Sequence, residues 1–488
     1  MTVLSRHACG LLALVAVNAC RTPEPAAAPP TAFNLAVDSL VAQSMADGKV
    51  PGLAITIVRN DSVIHSKGYG VADLASGRPM TDTTPVIIGS TSKTFTAFAL
   101  MQQVDAGKVA LDTAVQRYVK VMQANVPVDP RATAITSRHL LTNVSGLPLG
   151  FSGDPYGAGA DTSAGALERL VREDMLARPL DFTPGTGFTY SNRGFSLAAL
   201  VVQDASGLSY EDYMAQRVFG PLGMRQSTAE FWRSEAMGRT LGYREDTTGK
   251  PVPRPPAASR EWTGSGMLTS SAADVGTYLR MLLRGGKAAD GTVLLSEAGV
   301  TELLRPQQKG QSELGGPTTY ALGWEVNEMG GMSLTMKGGS VISMGSLFVM
   351  IPQQKVGIAM VFNLVDYGKV QLLQNVLAKL AGAPTSPYQA APPAPAVPGT
   401  GHRMAPARLA SFAGDYMTRW GLMRVRTQDS ALTASYEAND VVLEPASDTS
   451  FIVRSVLREQ QGTMITVRRC GTTTCLWMRG DSSGVKLP

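Results

Sequence analysis

The sequence predicts an α+β protein that ends in a small all-β domain. Two pairs of strand-like apolar runs are joined by short polar turns at Asn60-Asp61 and at Pro352–Lys355, a pattern typical of antiparallel hairpins. A helix-like run follows Ser90, with apolar residues at helical spacing. From residue 408 to 488 short apolar and polar runs alternate, which indicates strands without helices.

The first twenty residues have the layout of a secretory signal peptide. Arg6 precedes an apolar run over residues 10–17 that is too short to cross a membrane. The run ends at Asn18-Ala19-Cys20, which resembles a bacterial lipobox whose cysteine becomes the lipidated first residue of the mature chain. A lipidated Cys20 would anchor the protein to a membrane, whereas the alternative is a soluble exported protein. Both interpretations place the mature chain in the periplasm or cell envelope.

The rest of the chain divides by composition. Residues 21–32 form a Pro/Ala-rich tether, 33–383 the main domain, 384–407 a second Pro/Ala-rich linker and 408–488 the small β domain. In the last segment Cys470 and Cys475 flank a tight turn. In an oxidising compartment they are predicted to form a hairpin disulfide, with two free thiols as the alternative.

Composition excludes several function classes. Four His and four Cys, widely spaced, do not supply the roughly four ligands of a structural zinc site, and no other metal or cofactor is expected. The net charge of +5 is scattered without a Lys/Arg run, so nucleic-acid binding is not predicted. Because histidines are scarce, hydrolytic chemistry would have to find its base among other residues.

The first candidate site element is Ser90-Thr-Ser-Lys93, at the start of the helix-like run. Ser and Lys three residues apart share one helix face. A buried Lys loses its proton more readily and can help activate the hydroxyl as a nucleophile. Ser483 and Lys486 repeat the spacing in the C-terminal tail, where we interpret it as chance.

The second element is Tyr190-Ser191-Asn192. A phenol can act as a general base only if nearby cations lower its pKa from about 10, and Lys93 would be one such cation. The amide of Asn192 could hydrogen-bond both a Lys and a substrate amide. Taken alone, a Tyr-x-Asn sequence is more often a surface loop.

The third element is Lys337-Gly338-Gly339-Ser340, just before an apolar run. A Lys on an edge strand can bind a substrate carboxylate, and the glycines permit close backbone approach. A following N–H can then point at a developing oxyanion. A similar Lys355-Val-Gly357 lies in a hairpin return and is interpreted as structural.

In this order the three elements resemble those of the serine β-lactamase and penicillin-binding protein superfamily. The resemblance is greatest to the class C β-lactamase branch with its esterase and D-peptidase relatives, and it covers about Phe33 to Gly382. The supporting segments are Val50-Pro-Gly-Leu-Ala, Gly68-Tyr-Gly-Val-Ala-Asp, His139-Leu-Leu-Thr-Asn-Val-Ser-Gly-Leu-Pro148, Gly220-Pro-Leu-Gly-Met224, Gly264-Ser-Gly-Met-Leu-Thr-Ser and Tyr320-Ala-Leu-Gly-Trp324. The resemblance implies an antiparallel sheet flanked by helices, with a mostly helical subdomain.

The resemblance also implies roles for the matching residues. Ser90 would be the acylated nucleophile, Lys93 its proton-transfer partner and Tyr190 the general base that also activates the deacylating water. Asn192 would orient the substrate amide, and Lys337 would be an electrostatic anchor. The remaining implied group is an oxyanion hole in which Gly339 allows close approach and the backbone N–H groups of Ser90 and Ser340 donate.

Two positions depart from the family pattern. Gly338 stands where β-lactamases usually carry Thr or Ser, which argues against efficient antibiotic hydrolysis. Asn143 stands where many relatives have His, at a position that looks structural. Lys337 supports the opposite conclusion and keeps a carboxylate-bearing substrate open, because many esterase-like relatives have His or Trp at this position. The Gly-rich segment from Leu149 to Ala166 is expected to border the site.

The leading hypothesis is an exported serine hydrolase that acts through an acyl-enzyme on a small molecule or a peptidoglycan-derived substrate. A D-amino-acid peptide, a β-lactam and a small ester all remain open, the last as a carboxylesterase. The rival is a penicillin-binding sensor that does not turn over. A Ser-His-Asp esterase is disfavoured, because His65 is expected at the surface and His139 in a structural role.

Overall fold

A computed structural model describes residues 31–147, 161–254, 259–311, 317–329, 331–341, 343–364, 369–386, 399–418, 421–436, 439–454, 464–470, 473–478 and 481–486. The predicted signal peptide with Cys20, most of the first tether and the centre of the second linker lie outside these residues. So does most of the segment from Leu149 to Ala166 that is expected to border the site.

The main domain is built on a nine-stranded sheet of order β3-β2-β1-β13-β12-β11-β10-β9-β8, in which every pairing is antiparallel. The α+β prediction is therefore confirmed. Two small two-stranded sheets, β4-β7 and β5-β6, accompany it. The strand bounds are β1 Gly52–Arg59, β2 Ser62–Asp73, β3 Arg78–Pro79, β4 Val86–Ile87, β5 Tyr243–Glu245, β6 Pro251–Pro253, β7 Thr269–Ser270, β8 Gln308–Gln311, β9 Pro317–Tyr320, β10 Glu325–Met329, β11 Met332–Val341, β12 Met344–Ile351 and β13 Val356–Phe362.

Helices cover both faces of this sheet. The helix bounds in the main domain are α1 Ala32–Gly48, α2 Ser92–Asp105, α3 Lys120–Ala124, α4 Ser137–Leu141, α5 Ala166–Leu170, α6 Asn192–Ser206, α7 Tyr210–Tyr213, α8 Gly220–Leu222, α9 Phe231–Ala236, α10 Ala272–Leu283, α11 Glu297–Leu304 and α12 Lys369–Leu380, whereas α13 Pro406–Ala410 packs in the C-terminal domain. On one face α2, α6 and α10 bury a large apolar core that includes Phe95, Leu197 and Tyr278. On the other face α1 and α12 bury a second core that includes Val41 and Val376.

Both predicted hairpin turns are present. Asn60 and Asp61 join β1 to β2 with φ of 47° and 69°, a geometry that asparagine and aspartate tolerate better than most residues. Lys355 has φ 51° and ends the short 3₁₀ turn Pro352–Gln354 between β12 and β13. The order of the sheet then brings β1 directly against β13.

The expectation that His65 lies at the surface is wrong. Its side chain lies under α1 and the residue is 5% exposed. Nδ1 lies 3.0 Å from Asn34 Nδ2 and Nε2 lies 2.8 Å from Tyr69 Oη, while Asp38 accepts from the same tyrosine at 2.6 Å. Burial lowers the pKa of His65. The first helix, which the sequence pattern did not reveal, covers the outer face of β2.

The C-terminal segment forms a closed antiparallel barrel rather than an open sheet, because β14 pairs with β21. Its interior core includes Tyr416, Met423 and Phe451. The strand bounds are β14 Gly414–Thr418, β15 Gly421–Gln428, β16 Ala431–Tyr436, β17 Asn439–Ser447, β18 Ser450–Arg454, β19 Met464–Cys470, β20 Thr473–Met478 and β21 Asp481–Lys486.

The cysteine pair lies on the β19–β20 hairpin as expected. The register sets Cys470 opposite Thr473 and Cys475 opposite Arg468. Both side chains lie outside the described residues, and the disulfide stays a prediction. Ser483 and Lys486 fall on β21 and not on a helix.

Candidate active site

Ser90 lies in the short 3₁₀ turn Gly89–Thr91 that leads into α2. Gly89 has φ 58°, and a Cβ at this position would lie 2.5 Å from the backbone N of Ser340. Two hydroxyl groups fix the residue before the turn: Thr91 Oγ1 and Ser346 Oγ donate to the carbonyl of Ile88 at 2.7 and 2.6 Å. The candidate nucleophile is therefore half-buried on a turn fixed against β11 and β12.

Lys93 lies one helical turn after Ser90, with its side chain fully buried. Its Nζ donates to Ser90 Oγ at 3.1 Å and to Asn192 Oδ1 at 2.7 Å. A third hydrogen bond, at 2.6 Å, goes to the backbone carbonyl of Ser265. The structure therefore brings together the Ser-x-x-Lys and Tyr-x-Asn elements, which are about a hundred residues apart in the sequence.

The carbonyl of Ser265 is a further candidate site atom, because it accepts a hydrogen bond from Lys93, and sequence reasoning did not identify it. It belongs to the π-helical turn Thr263–Met267, which lies between α2 and α6. A Cβ on Gly264 would lie 2.6 Å from Ala199 Cβ, so only glycine fits this close packing. In the sequence, Gly264-Ser-Gly-Met contributes only to the family resemblance, because a contact through the backbone leaves no direct side-chain signal.

Tyr190 lies between the two candidate lysines. Lys93 Nζ is 4.8 Å and Lys337 Nζ is 4.9 Å from the centroid of its ring. Both ammonium groups thus lie within contact range of the ring that the sequence predicts as the general base. The loop that carries the ring is fixed by Asn143, whose Oδ1 accepts from the backbone N of Ser191.

Lys337 is not on an edge strand of the sheet, because β11 lies between β12 and β10. However, the ladder from β10 ends at Met336, whereas that from β12 continues to Val341. The Lys337 to Ser340 segment is thus paired through β12 and faces the Ser90 turn on its other side. The prediction that Lys337 lies on an edge strand was therefore wrong for β11 as a whole. From Lys337 onwards, however, β11 is paired with a strand on one side only.

Glu325 is a second group that sequence reasoning missed. Its Oε1 accepts from Lys337 Nζ at 3.1 Å and from Tyr320 Oη at 3.3 Å. The side chains of Glu325 and Lys337 are each 1% exposed. Glu325 is the first residue of β10, so the Tyr320-Ala-Leu-Gly-Trp324 turn before it places the carboxylate next to Lys337.

The candidate oxyanion hole lies where β11 approaches the Ser90 turn. A Cβ on Gly339 would lie 2.2 Å from the carbonyl oxygen of Ile88 and 2.8 Å from the N of Thr91. This contact, together with that of Gly89, requires glycine on both sides of the junction. The Ser90 turn and the backbone of Ser340 consequently lie in close contact, as the predicted oxyanion hole requires.

The remaining observations concern His139, metal-binding groups and membrane-spanning helices. His139 is N-terminal in α4, where its Nδ1 accepts from the backbone N of Thr136 at 3.2 Å, which confirms its structural role. Among the described residues no group of His, Cys, Asp and Glu side chains could hold a metal ion. In the same part of the chain, no helix has the length and apolar character needed to cross a membrane.

An antiparallel sheet that joins a Ser-x-x-Lys helix start, a Tyr-x-Asn turn and a Lys-Gly-Gly strand defines the class of serine enzymes that use lysine and tyrosine instead of histidine. The family model described as Beta-lactamase matches residues 37–383, and the chain belongs to this family. The resemblance inferred from the motifs is thereby confirmed. Members of the family are serine hydrolases.

Curated relatives are distant. Protein flp of Staphylococcus aureus (strain MW2) is 26% identical over 330 residues, which cover 67% of this chain and 62% of that protein. Penicillin-binding protein 4 of Amycolatopsis lactamdurans is 29% identical over 380 residues, covering 76% of this chain and 94% of its own. The chain thus spans less than two thirds of the length of the staphylococcal relatives.

Solved structures share the fold. The octameric penicillin-binding protein homologue from Pyrococcus abyssi aligns with a TM-score of 0.60 at 24% identity, over 92% of this chain and 99% of that one. A mutant of a class C beta-lactamase aligns with a TM-score of 0.60 at 20% identity, over 71% of this chain and 97% of its own. At these identities the likeness concerns the fold alone.

Proposed function

We propose that the protein is an exported serine hydrolase that cleaves a small ester or amide through an acyl-enzyme on Ser90. The observation that carries this proposal is the contact of Lys93 Nζ with Ser90 Oγ, beside a tyrosine ring flanked by two lysines. These contacts support a nucleophile, a proton acceptor and oxyanion donors that lie close together.

Acylation follows from this arrangement. Ser90 Oγ attacks the carbonyl carbon, and its proton passes to the Lys93–Tyr190 pair. The backbone N–H groups of Ser90 and Ser340 stabilise the oxyanion, and losing one such donor typically costs about 10²–10³ in rate. The bond to the leaving group then breaks, and the proton is returned to that group as it departs.

Deacylation reverses the roles. Tyr190 takes a proton from a water molecule, which attacks the acyl carbon, and the ester bond to Ser90 breaks. The proton returns to Ser90 Oγ and the free acid leaves. Asn192, whose Oδ1 accepts from Lys93, would orient an amide of the substrate.

The test is hydrolysis of p-nitrophenyl butyrate by the purified protein, together with intact-mass detection of an adduct at Ser90. Ser90→Ala should abolish both, whereas Ser62→Ala, at an exposed serine of β2, should change neither. Full activity in Ser90→Ala would overturn the proposal. Parallel assays with nitrocefin and a D-Ala-D-Ala peptide rank the three candidate substrate classes.

The rival sensor function makes a different prediction for the same protein. A sensor would acylate in a burst and then stop, whereas a hydrolase turns over. Tyr190→Phe should lower steady-state hydrolysis by about 10²–10⁴, the usual contribution of a general base. A wild-type burst without turnover would favour the sensor.

Export and lipidation are a separate part of the proposal, supported by the layout of residues 1–20. Labelling of the protein with radioactive palmitate in a bacterial host should depend on Cys20. Cys20→Ser should remove the label and release the protein from the membrane fraction. Label retained in that variant would contradict lipidation at this residue.

A further inference from the structure

The buried pair of Glu325 and Lys337 carries an inference about substrate charge. We propose that Glu325 neutralises Lys337 and so makes the site select substrates without a carboxylate next to the reacting carbonyl. The inference rests on the proposed hydrolase function and refines its substrate class.

The geometry of the pair supports neutralisation. Glu325 Oε1 lies 3.1 Å from Lys337 Nζ, and both side chains are almost fully buried. Tyr320 Oη donates to the same oxygen at 3.3 Å, which holds the carboxylate in place. A charged carboxylate so close to the ammonium group removes about half of its potential at a point on the far side of Lys337 that is as distant as their separation, and more of it beyond.

A substrate carboxylate placed near Lys337 would therefore meet both charges. Attraction to the ammonium group is offset by repulsion from Glu325, while the substrate still loses its hydration. A neutral group at the same place loses less hydration energy than a carboxylate and is not repelled by Glu325. Discrimination by an unfavourable charge in the site is a common route to specificity.

The neighbouring positions also favour an uncharged group. Gly338 follows Lys337 without a hydroxyl that could hold a carboxylate. The ring of Phe188 packs at 5.1 Å from that of Tyr320, the phenol that donates to Glu325. The missing hydroxyl at Gly338 suits an uncharged substrate, such as a neutral ester.

A matched pair of substrates tests the inference with the full protein. The 3-carboxyphenyl and 3-carbamoylphenyl esters of butyric acid differ only in the charged or neutral group on the leaving phenol. The quantity measured is the ratio of kcat/KM for the carbamoyl ester to that for the carboxyl ester, taken within each variant. Incomplete folding of a variant affects both substrates equally and cancels in the ratio.

Wild type should prefer the carbamoyl ester by about tenfold or more. Glu325→Gln keeps an oxygen near Lys337 but removes the negative charge, and should lower the ratio at least tenfold. Adding Lys337→Met to that variant should restore the preference. Glu328→Gln, at an exposed glutamate of the same strand, is the matched control and should leave the ratio as in wild type.

Two results would overturn the inference: a wild-type preference for the carboxyl ester, or a Glu325→Gln ratio equal to that of wild type. Failure of the proposed function looks different. In that case neither ester is hydrolysed by wild type, or Ser90→Ala hydrolyses both at the wild-type rate.

Discussion

Asn143 holds Ser191 in place: its Oδ1 accepts a hydrogen bond from the backbone N of Ser191 at 3.1 Å. The backbone carbonyl of Asn143 also accepts from Thr189 N at 3.0 Å. These two bonds flank Tyr190. Asn143 itself has φ 61°, a left-handed conformation that asparagine adopts more easily than most residues. The position that differs from many relatives is thus the support of the candidate base.

Replacing Asn143 should therefore affect both stability and activity. Asn143→Ala leaves the buried N–H of Ser191 without this acceptor, which costs about 1–3 kcal/mol in the free energy of unfolding. It should also lower kcat, because the loop carrying Tyr190 loosens. Urea unfolding and ester hydrolysis measure the two effects. Asn143→Asp keeps the acceptor and should behave more like wild type; equal losses in both variants would contradict this role.

A buried ion pair behind the site supplies the second prediction. Arg193, next to Asn192 on α6, pairs with Asp174, and both side chains are 2% exposed. Asp174→Ala leaves a buried guanidinium without this carboxylate, and should destabilise the protein by about 3–5 kcal/mol. Arg178 binds the same carboxylate from a position that is 34% exposed. Arg178→Ala should cost at most about 1 kcal/mol by urea unfolding. The reverse order of the two losses would refute this interpretation.

The third prediction concerns the close approach of β11 to the nucleophile turn. In Gly339→Ala the added methyl group would collide with the carbonyl of Ile88 and displace the strand. Acylation of Ser90 should slow by about 10²-fold or more, since the oxyanion donors move apart. Gly399→Ala is the control, because its Cβ would meet only Glu444 Oε1 at 3.7 Å. Stopped-flow labelling of the two variants at equal rates would show that the approach is not critical.

The fourth prediction is a pH dependence of stability at Glu261, just before the π-helical turn. Burial, reinforced by the charges of Asp161 and Asp174, raises the pKa of Glu261 to about 7. Between its usual value and pH 7 the folded state binds more protons than the unfolded state. This group therefore reduces stability as the pH rises through that range.

Glu261→Gln should accordingly be more stable than wild type at pH 8, by about 1–2 kcal/mol after allowance for partial exposure. At pH 4, where both states of the wild-type carboxyl are largely protonated, the difference should vanish. Urea unfolding at the two pH values checks this. An advantage of equal size at both would mean that the effect comes from packing and not from ionisation.

Sequence patterns predicted the hairpins and the short site motifs, because turn residues and helical spacing act over a few neighbouring positions. They did not predict that α1 buries His65, since that contact depends on a helix packing across the sheet. Glu325 was not predicted for a similar reason. Its partner Lys337 lies on the adjacent strand, and only the β10–β11 register brings the two charges together. Closure of the C-terminal barrel depends on pairing between its first and last strands. The alternation of apolar and polar residues along each strand does not indicate which strands pair.

The pairing of β1 with β13 determines when the main domain can fold. Gly52 N donates to Asn363 Oδ1 at 2.7 Å although the two residues are 311 positions apart. A chain that leaves the ribosome N-terminus first can form the β1–β2 hairpin early, but the other edge of β1 has no strand to meet until β13 has been synthesised. Such long-range pairing is slow, and a waiting strand edge invites aggregation. Nascent chains truncated before β13 should therefore depend on a holding chaperone and remain open to protease.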